Sequence, residues 1–455
     1  MEIKGRYSKA YITIDDVEEK CLNQIYNMVN HPAINNYVAI MPDTHSGKGS
    51  VVGFTMPLGD KIIPNIVGVD IGCGMTTIKF EFIGDKYIKN GVMDRKSVDH
   101  EIKRSIPTGS NTHNETKVTK EEWVEFFKVT NDIIGLLINK LNKKFNTNYK
   151  PINVDMDYFD KKCKLIGLKD NRAKLSIGTL GGGNHFTEVG LGSNDGCFYL
   201  TIHSGSRKFG EMVCRYHQNI AKEYRENIYK TEYSKGVDKI KEGVKDVKEI
   251  EIKIKDLKKS LGMDIEIDIK GMEFLEGDKM FDYLIDMVLA QQYALLNRTT
   301  MLKIINKNLN LKQLDRIETI HNYIDFDDLI IRKGAIKSYE DVLSVIPFNM
   351  EDGLLIVKGK SNPEWNYSAP HGAGRLFSRT YAKQVITLEE MKEGMAKQDV
   401  YSTSLTKNTI DEAKGAYKDP KMIEEAIKPT AIIIERVKPL INIKDVDSIS
   451  DKIKK

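Results

Sequence analysis

The sequence predicts a mixed α/β fold, a single domain over residues 1–455 with a helical insertion at about residues 215–270. Three observations carry that prediction. Short apolar runs punctuated by glycine-rich loops alternate with amphipathic stretches of helical period. No internal repeat or low-complexity linker divides the chain. One Lys/Glu-rich stretch with helical spacing interrupts the alternation. Composition sets the outer limits. Forty per cent hydrophobic and 29% charged residues is an ordinary globular mixture, far from disorder. The net charge of +4, from 69 basic and 65 acidic residues, gives no bulk attraction for a polyanion, so any contact with one has to be a local patch. The opening MEIKGRYSKAYITIDD has no signal-like apolar run, and nowhere does the chain reach the ~20 apolar residues of a membrane span. A cytoplasmic location with no membrane partner is the expectation. Cys21, Cys73, Cys163, Cys197 and Cys214 are scattered, odd in number and without a CxxC, which predicts reduced thiols.

The elements follow in chain order. Asp15 to Asn30 reads as a helix with Val17, Cys21, Ile25 and Met28 on one face, Asp15 and Glu18 at capping-box spacing, and His31-Pro32 as its stop. Between Tyr37 and Phe82 the pattern becomes strand-like: YVAIM, VVGFTM, IVGVD and TTIKFEF, separated by PDTHSGKG and other glycine loops. Thr119 and Glu122 cap a long helix to about Leu141. Strands resume at LSIG, HFTEV and CFYLTIH. Between Tyr233 and Leu261, Val237, Ile240, Val244 and Val247 keep 3-4-3 spacing until Glu251 and Lys258 break it, so a helical hairpin or projecting arm is expected rather than a coiled coil. Asp278 to Lys307 is a further helix, followed by strands at IETIH, LIIRKG and LLIVKG.

Five segments share one grammar, an apolar run delivering a metal-capable residue into a loop. They are IVGVDIGCGM with Asp70 and Cys73, GTLGGGNHF with His185, YLTIHSGSR with His203, IETIHNY with His321, and SAPHGAGR with His371. Taken alone, each has a bland reading: a hydrogen-bonded structural histidine, a buried cysteine, or an aspartate organising a turn. Together, four histidines, a cysteine and an aspartate in matching contexts suit a dinuclear site for a borderline metal, with Asp70 and Cys73 placed to serve neighbouring ions. His45, beside Asp43 and Lys48, divides between a phosphate role and a structural one. His31, His100, His113 and His217 read as solvated surface residues. Glycines at 47 and 49, 181 to 183, 205, and 372 and 374 would let backbone amides approach phosphates, although no P-loop spacing occurs. Arg207, Arg375 and Arg379 stand beside these loops as phosphate contacts, with salt bridging the favoured alternative for Arg379.

Taken in order, MPDTHSGKGSVVG, VGVDIGCGM, GTLGGGNHFTE, HSGSR, ALLNR, HNY, RKGA, HGAGRLFSR and AYKD resemble the RtcB family of RNA ligases over about Val38 to Lys418, as a divergent bacterial-type member. The resemblance implies an RtcB-like catalytic domain with strand-borne metal-binding loops. It implies two Mn²⁺ ions held by Asp70, Cys73, His185, His203 and His321, with Cys73 bridging. His371 would be the nucleophile that takes GMP from GTP. Guanylate contacts would fall on Asn184, Phe186, Glu188, Gly372, Ala373, Gly374, Arg375 and Lys418. The implied reaction joins RNA 2′,3′-cyclic phosphate or 3′-phosphate ends to 5′-hydroxyl ends through guanylylated histidine and an RNA-3′-pp-5′-G intermediate. Broken tRNA or other RNA ends, GTP and an archease-type activator are the implied partners. Two segments depart from the family pattern: Pro347-Phe348-Asn349-Met350-Glu351 replaces Pro-Gly-Ser-Met-Gly, and Thr108 stands where histidine is common. A dinuclear-metal phosphoesterase and a non-catalytic RNA-binding relative are the competing readings.

Overall fold

In the computed structural model, which describes residues 1–169, 171–261 and 270–446, two sheets flank one long buried helix. The seven-stranded sheet is antiparallel throughout, in the order Leu311–Ile320, Gly74–Phe82, Phe198–Ser204, Phe186–Gly192, Ala431–Ile443, Leu354–Gly359 and Leu343–Pro347. The six-stranded sheet runs Glu2–Lys4, Lys9–Ile12, Val38–His45, Val52–Pro57, Ile330–Lys333 and Asn322–Asp325, with one parallel pair, Lys9–Ile12 beside Val38–His45. This is the mixed α/β class expected.

Strand period decides which side chains meet. Ile78, Phe80, Leu200 and Ile202 share the face that packs on Val98 and Ile102 of helix Arg95–Ser105 and on Met301 and Ile305 of the long helix. Successive side chains point to opposite faces, so the pleat that buries Ile202 under helices sends Thr201 and His203 to the other side. Phe186 and Glu188 are their cross-strand partners there. The long helix Gly277–Leu309 is buried around most of its circumference, from Met280 to Leu309. Such a helix belongs inside a protein rather than at its surface.

Several local expectations change. IVGVD is not a strand: Pro64–Val67 forms one helical turn, started by Pro64 at its first position and ended by Gly68 at φ +98°. LSIG lies at the end of helix Arg172–Ser176 and runs on into a turn. The first helix begins at Glu19 without a side-chain cap, so the Asp15/Glu18 box is not used, whereas the Thr119–Glu122 capping box forms and starts helix Lys120–Phe145. Only His100 of the four expected surface histidines is exposed. His31 packs edge-on against Phe274, His113 bonds the Gly178 carbonyl at 2.9 Å, and His217 pairs with buried Asp286 at 2.7 Å. Position explains His217, which follows Val213 and Cys214 at helical spacing on the buried stripe of helix Arg207–Asn227.

Helices Ser234–Gly243 and Val247–Ser260 form a hairpin with no buried side chain, and Gly236 lies against Leu257. Residues 215–225 of the expected insertion belong instead to a helix whose His217, Ala221 and Arg225 are buried, and 262–269 lie outside the described residues. Among the described residues no helix is long and apolar enough to cross a membrane.

Candidate active site

Strand ends assemble the site. Asp70 and Cys73 sit in the turn entering Gly74–Phe82, His185 immediately precedes Phe186–Gly192, and His203 is the penultimate residue of Phe198–Ser204. His321 occupies the single residue between strand Leu311–Ile320 of one sheet and strand Asn322–Asp325 of the other. His371 follows the short strand Ser368–Pro370. Residues up to 301 positions apart in the chain therefore share one focus because each leaves its sheet at the same end.

The expected metal residues come together in two triads, Asp70–Cys73–His185 and Cys73–His203–His321, with Cys73 common to both and the donor atoms within 4.8 Å of one another in each. Cys73 Sγ lies 3.4 Å from Nε2 of both His185 and His203, and His203 Nε2 lies 3.3 Å from His321 Nε2. His185 Nδ1–H donates to the Leu180 carbonyl at 3.0 Å, which leaves its Nε2 lone pair facing Asp70 Oδ2 at 2.9 Å. Two acceptors at that separation suit a cation between them. Burial holds His203 and His321 well below the usual histidine range, so both are neutral donors, and burial with the Asp70 carboxylate pushes the Cys73 thiol well up. A bound cation would reverse that bias, since a metal deprotonates its thiol ligand. Thiolate, imidazole and carboxylate thus fit a dinuclear centre for borderline cations. Gly205 is required by the same geometry. A Cβ there would fall 2.3 Å from Asp70 Oδ1, which the Ser206 amide holds at 3.0 Å.

His371 stands beside this cluster, its ring centroid 4.9 Å from that of His321. Its Nδ1–H donates to Asp43 Oδ2 at 2.6 Å, and its backbone amide donates to the same oxygen at 3.1 Å. Asp43 is fully buried on strand Val38–His45. Because Nδ1 carries the proton, Nε2 presents its lone pair. Gly374 permits the approach. It adopts φ +74°, and a Cβ there would meet the Asp43 backbone at 2.4 Å. In the sequence Asp43 stands out only as a neighbour of His45. The period-2 pattern of the strand gives no hint that one buried carboxylate is aimed across to a residue 328 positions away. His45 lines the same cavity, its Nδ1 on the Asp43 carbonyl at 3.0 Å and its pKa pushed by burial down to about 4.

A cavity of about 400 Å³ joins His371, His203 and His321 to most of the expected guanylate positions: Asn184, Phe186 and Glu188 on one side, Gly372, Ala373, Gly374 and Arg375 on the other. Lys418 is a correction. It does not line the cavity, because its ammonium is committed to the carbonyls of Pro42 at 3.1 Å and Thr44 at 3.0 Å. Of the three lysines that line the cavity, Lys48, Lys333 and Lys444, the one beside Asn184 and Phe186 is Lys444, buried just past the end of the last strand, 2.9 Å from Glu412, 3.3 Å from the Asn184 carbonyl and over the Phe186 ring. No motif marks it in the sequence. Burial pushes the Glu188 carboxyl up to about 8; one oxygen accepts from Asn442 at 2.8 Å while the other has no protein partner.

The arginines are engaged within the protein. Arg207 bonds Thr179 and the Gly109 carbonyl, Arg375 bonds Tyr417 and the Asp411 carbonyl, and Arg379 bridges Asp411 and Glu412 at 2.6 Å each. For Arg379 the salt-bridge alternative holds. In the departing segment, Asn349 caps the turn by accepting from the Glu351 and Asp352 amides, while Phe348 and Met350 line the cavity. Thr108 lies in a bridge to Gly181, beside the His185 loop.

Two further residues missed at the sequence level hold the loops in place. Asn297, on the long helix, accepts from the Gly178 and Thr179 amides and donates to Thr179, Ser204 and Gly205. Arg298, fully buried, donates to the carbonyls of Gly72 at 2.9 Å and Ser204 at 3.0 Å. One helical turn therefore ties together the loops that carry Cys73, His185 and His203. Arg298→Met would strand these carbonyls without donors. It is expected to destabilise the protein by about 3–5 kcal/mol, read as a lowered denaturant midpoint with an unchanged slope. A change under about 1 kcal/mol would remove the bracing role.

The family described as tRNA-splicing ligase RtcB matches residues 24–445. An RNA-splicing ligase RtcB of Escherichia coli (strain K12) is 26% identical over 446 residues, covering 94% of this chain and 95% of that protein. A tRNA-splicing ligase RtcB of Methanococcus maripaludis is 24% identical over 501 residues, covering 97% of this chain and 94% of its own. A third, from Archaeoglobus fulgidus, is 23% identical, with 93% and 91% covered.

Proposed function

The chain belongs to the RtcB family, and on that premise we propose that it is a GTP- and Mn²⁺-dependent RNA ligase. It would seal 2′,3′-cyclic phosphate or 3′-phosphate ends to 5′-hydroxyl ends through guanylylated His371. The observation that carries this reading is the free Nε2 of His371, set by the Asp43 carboxylate, inside a cavity shared with the two ligand triads. Water-filled hydrolytic sites need no such fixed nitrogen nucleophile.

The chemistry follows from these groups. Nε2 attacks the α-phosphorus of GTP; a P–N bond forms, the bond to pyrophosphate breaks, and the imidazole gains positive charge. Asp43 stabilises that charge through the Nδ1–H bond, the role a carboxylate plays behind any catalytic histidine. Where the RNA ends in a 2′,3′-cyclic phosphate, water adds to its phosphorus and the P–O2′ bond breaks, leaving a 3′-phosphate; an oxygen of that phosphate then attacks the guanylate phosphorus, and the P–N electrons return to Nε2. Finally the 5′-hydroxyl of the second fragment attacks the RNA phosphorus and GMP leaves. Cations in the two triads would supply Lewis-acid stabilisation of the phosphoryl oxygens, and Mn²⁺ suits the mixed thiolate, imidazole and carboxylate set. Broken tRNA or other RNA ends, and an archease-type activator, complete the partners of this reading.

The test is incubation of the purified protein with α-labelled GTP and MnCl₂. An acid-labile adduct is expected, together with joining of a cyclic-phosphate end to a 5′-hydroxyl end. Cyclic-phosphate opening with neither adduct nor joining would replace this reading with the phosphoesterase one. We further propose Lys444 as the guanylate-binding lysine, a reading supported by its place in the cavity beside Asn184 and Phe186. Lys444→Met is expected to raise the GTP concentration for half-maximal labelling by about 10–100-fold, as loss of a charged hydrogen bond does, while Lys418→Met leaves that concentration unchanged. The opposite order would restore Lys418.

A further inference from the structure

Phe186–Gly192 and Ala431–Ile443 are neighbouring strands whose register makes Glu188 and Asn442 direct partners, side by side on the cavity face. Asn442 Nδ2 donates to Glu188 Oε2 at 2.8 Å, which turns its Oδ1 the other way. Oε1 of Glu188 and Oδ1 of Asn442 are then both buried acceptors without a partner, flanking a single hydrogen bond. Both residues are 2% exposed, and an orphaned acceptor at that depth costs free energy unless a ligand supplies the donor. The patch around them is completed by Phe186 and Lys444, the ring giving a base a surface to lie against.

Two adjacent acceptors complement two adjacent donors. Guanine offers that pattern at N1–H and its 2-amino group; hypoxanthine offers N1–H alone, and adenine presents an acceptor at N1. Resting on the ligase reading above, we infer that Asn442 is a base-specificity residue, its Oδ1 accepting the 2-amino group of guanine while Glu188 Oε1 accepts N1–H. Asn442 has a second role in the same arrangement, because its Nδ2 fixes which Glu188 oxygen faces the base.

Inosine triphosphate separates the two contacts, since it differs from GTP only in lacking the 2-amino group. With MnCl₂ present, the wild-type protein is expected to label with GTP at least about tenfold more efficiently than with inosine triphosphate, the discrimination a site built to bond a group shows against an analogue without it. Asn442→Val is expected to lose most of that preference, because GTP labelling loses both the 2-amino contact and the Glu188 orientation and so falls several-fold further than inosine-nucleotide labelling, which loses only the orientation. Both nucleotides are measured on one preparation, so partial misfolding scales both and leaves the ratio intact. Equal use of the two nucleotides by the wild type would overturn the assignment without any variant, as would an equal fall for both in Asn442→Val. Absence of labelling with any nucleotide would overturn the ligase reading and this inference with it.

Discussion

His371→Ala is expected to abolish the acid-labile guanylate adduct altogether, and Asp43→Asn to slow its formation by about 10²–10⁴-fold while the protein stays folded. The two effects have different origins. Alanine removes the atom that would carry GMP, so no residual labelling survives at any pH or GTP concentration. Asparagine keeps the shape but can offer its NH₂ to Nδ1, which moves the ring proton to Nε2 and blocks the lone pair. The Asp43 result is the more discriminating, because a purely structural Asp43 would cost stability rather than adduct rate. Stopped time courses of labelling alongside thermal melts separate these outcomes. A His371→Ala protein that still labels would place the nucleophile elsewhere.

Cys73→Ser is expected to remove the shared ligand of the two triads. Metal content after dialysis against MnCl₂ should fall from two ions per chain to one or none, with guanylylation lost in parallel. Serine is close to cysteine in size and Cys73 is 2% exposed, so packing changes little. Cys214→Ser is the matched control. Cys214 is equally buried, but its thiol contacts the Pro64 carbonyl and Asn65 and no member of either triad. Full metal content in Cys73→Ser would show that the triads do not hold the ions. Chelation followed by MnCl₂ should restore activity to the wild type and not to the variant.

Much of the site was legible because its chemistry is carried by residue types that seldom recur by chance in one context. Asp70, Cys73, His185, His203, His321 and His371 could be picked out as metal-capable residues at the ends of apolar runs, and they do meet. Lys418 and Lys444 show where that logic stops. Lys444 follows the last strand and Lys418 precedes helix Pro420–Ala426, and only the packing of that strand against Phe186–Gly192 decides that Lys444 faces the cavity while Lys418 is held by two carbonyls. Asn297 and Arg298 were visible only as part of a helix, since a polar residue on a helix betrays nothing about which loops it holds. The strand prediction at IVGVD failed for a local reason: four apolar residues fit a buried helical turn as well as a strand, and Pro64 decides between them.

By itself the sequence determined the alternation of strands and helices, the capped helix at Thr119, the helical hairpin after Tyr233 and the set of metal-capable side chains, because each depends on spacing or chemistry within a few residues. The tertiary structure alone decided the sharing of Cys73 between two triads, the hold of Asp43 on His371, and the pairing of Asn442 with Glu188. Those are contacts across 100 to 330 positions of chain. Their geometry is set by sheet register and by the burial of a long helix, which no local pattern encodes.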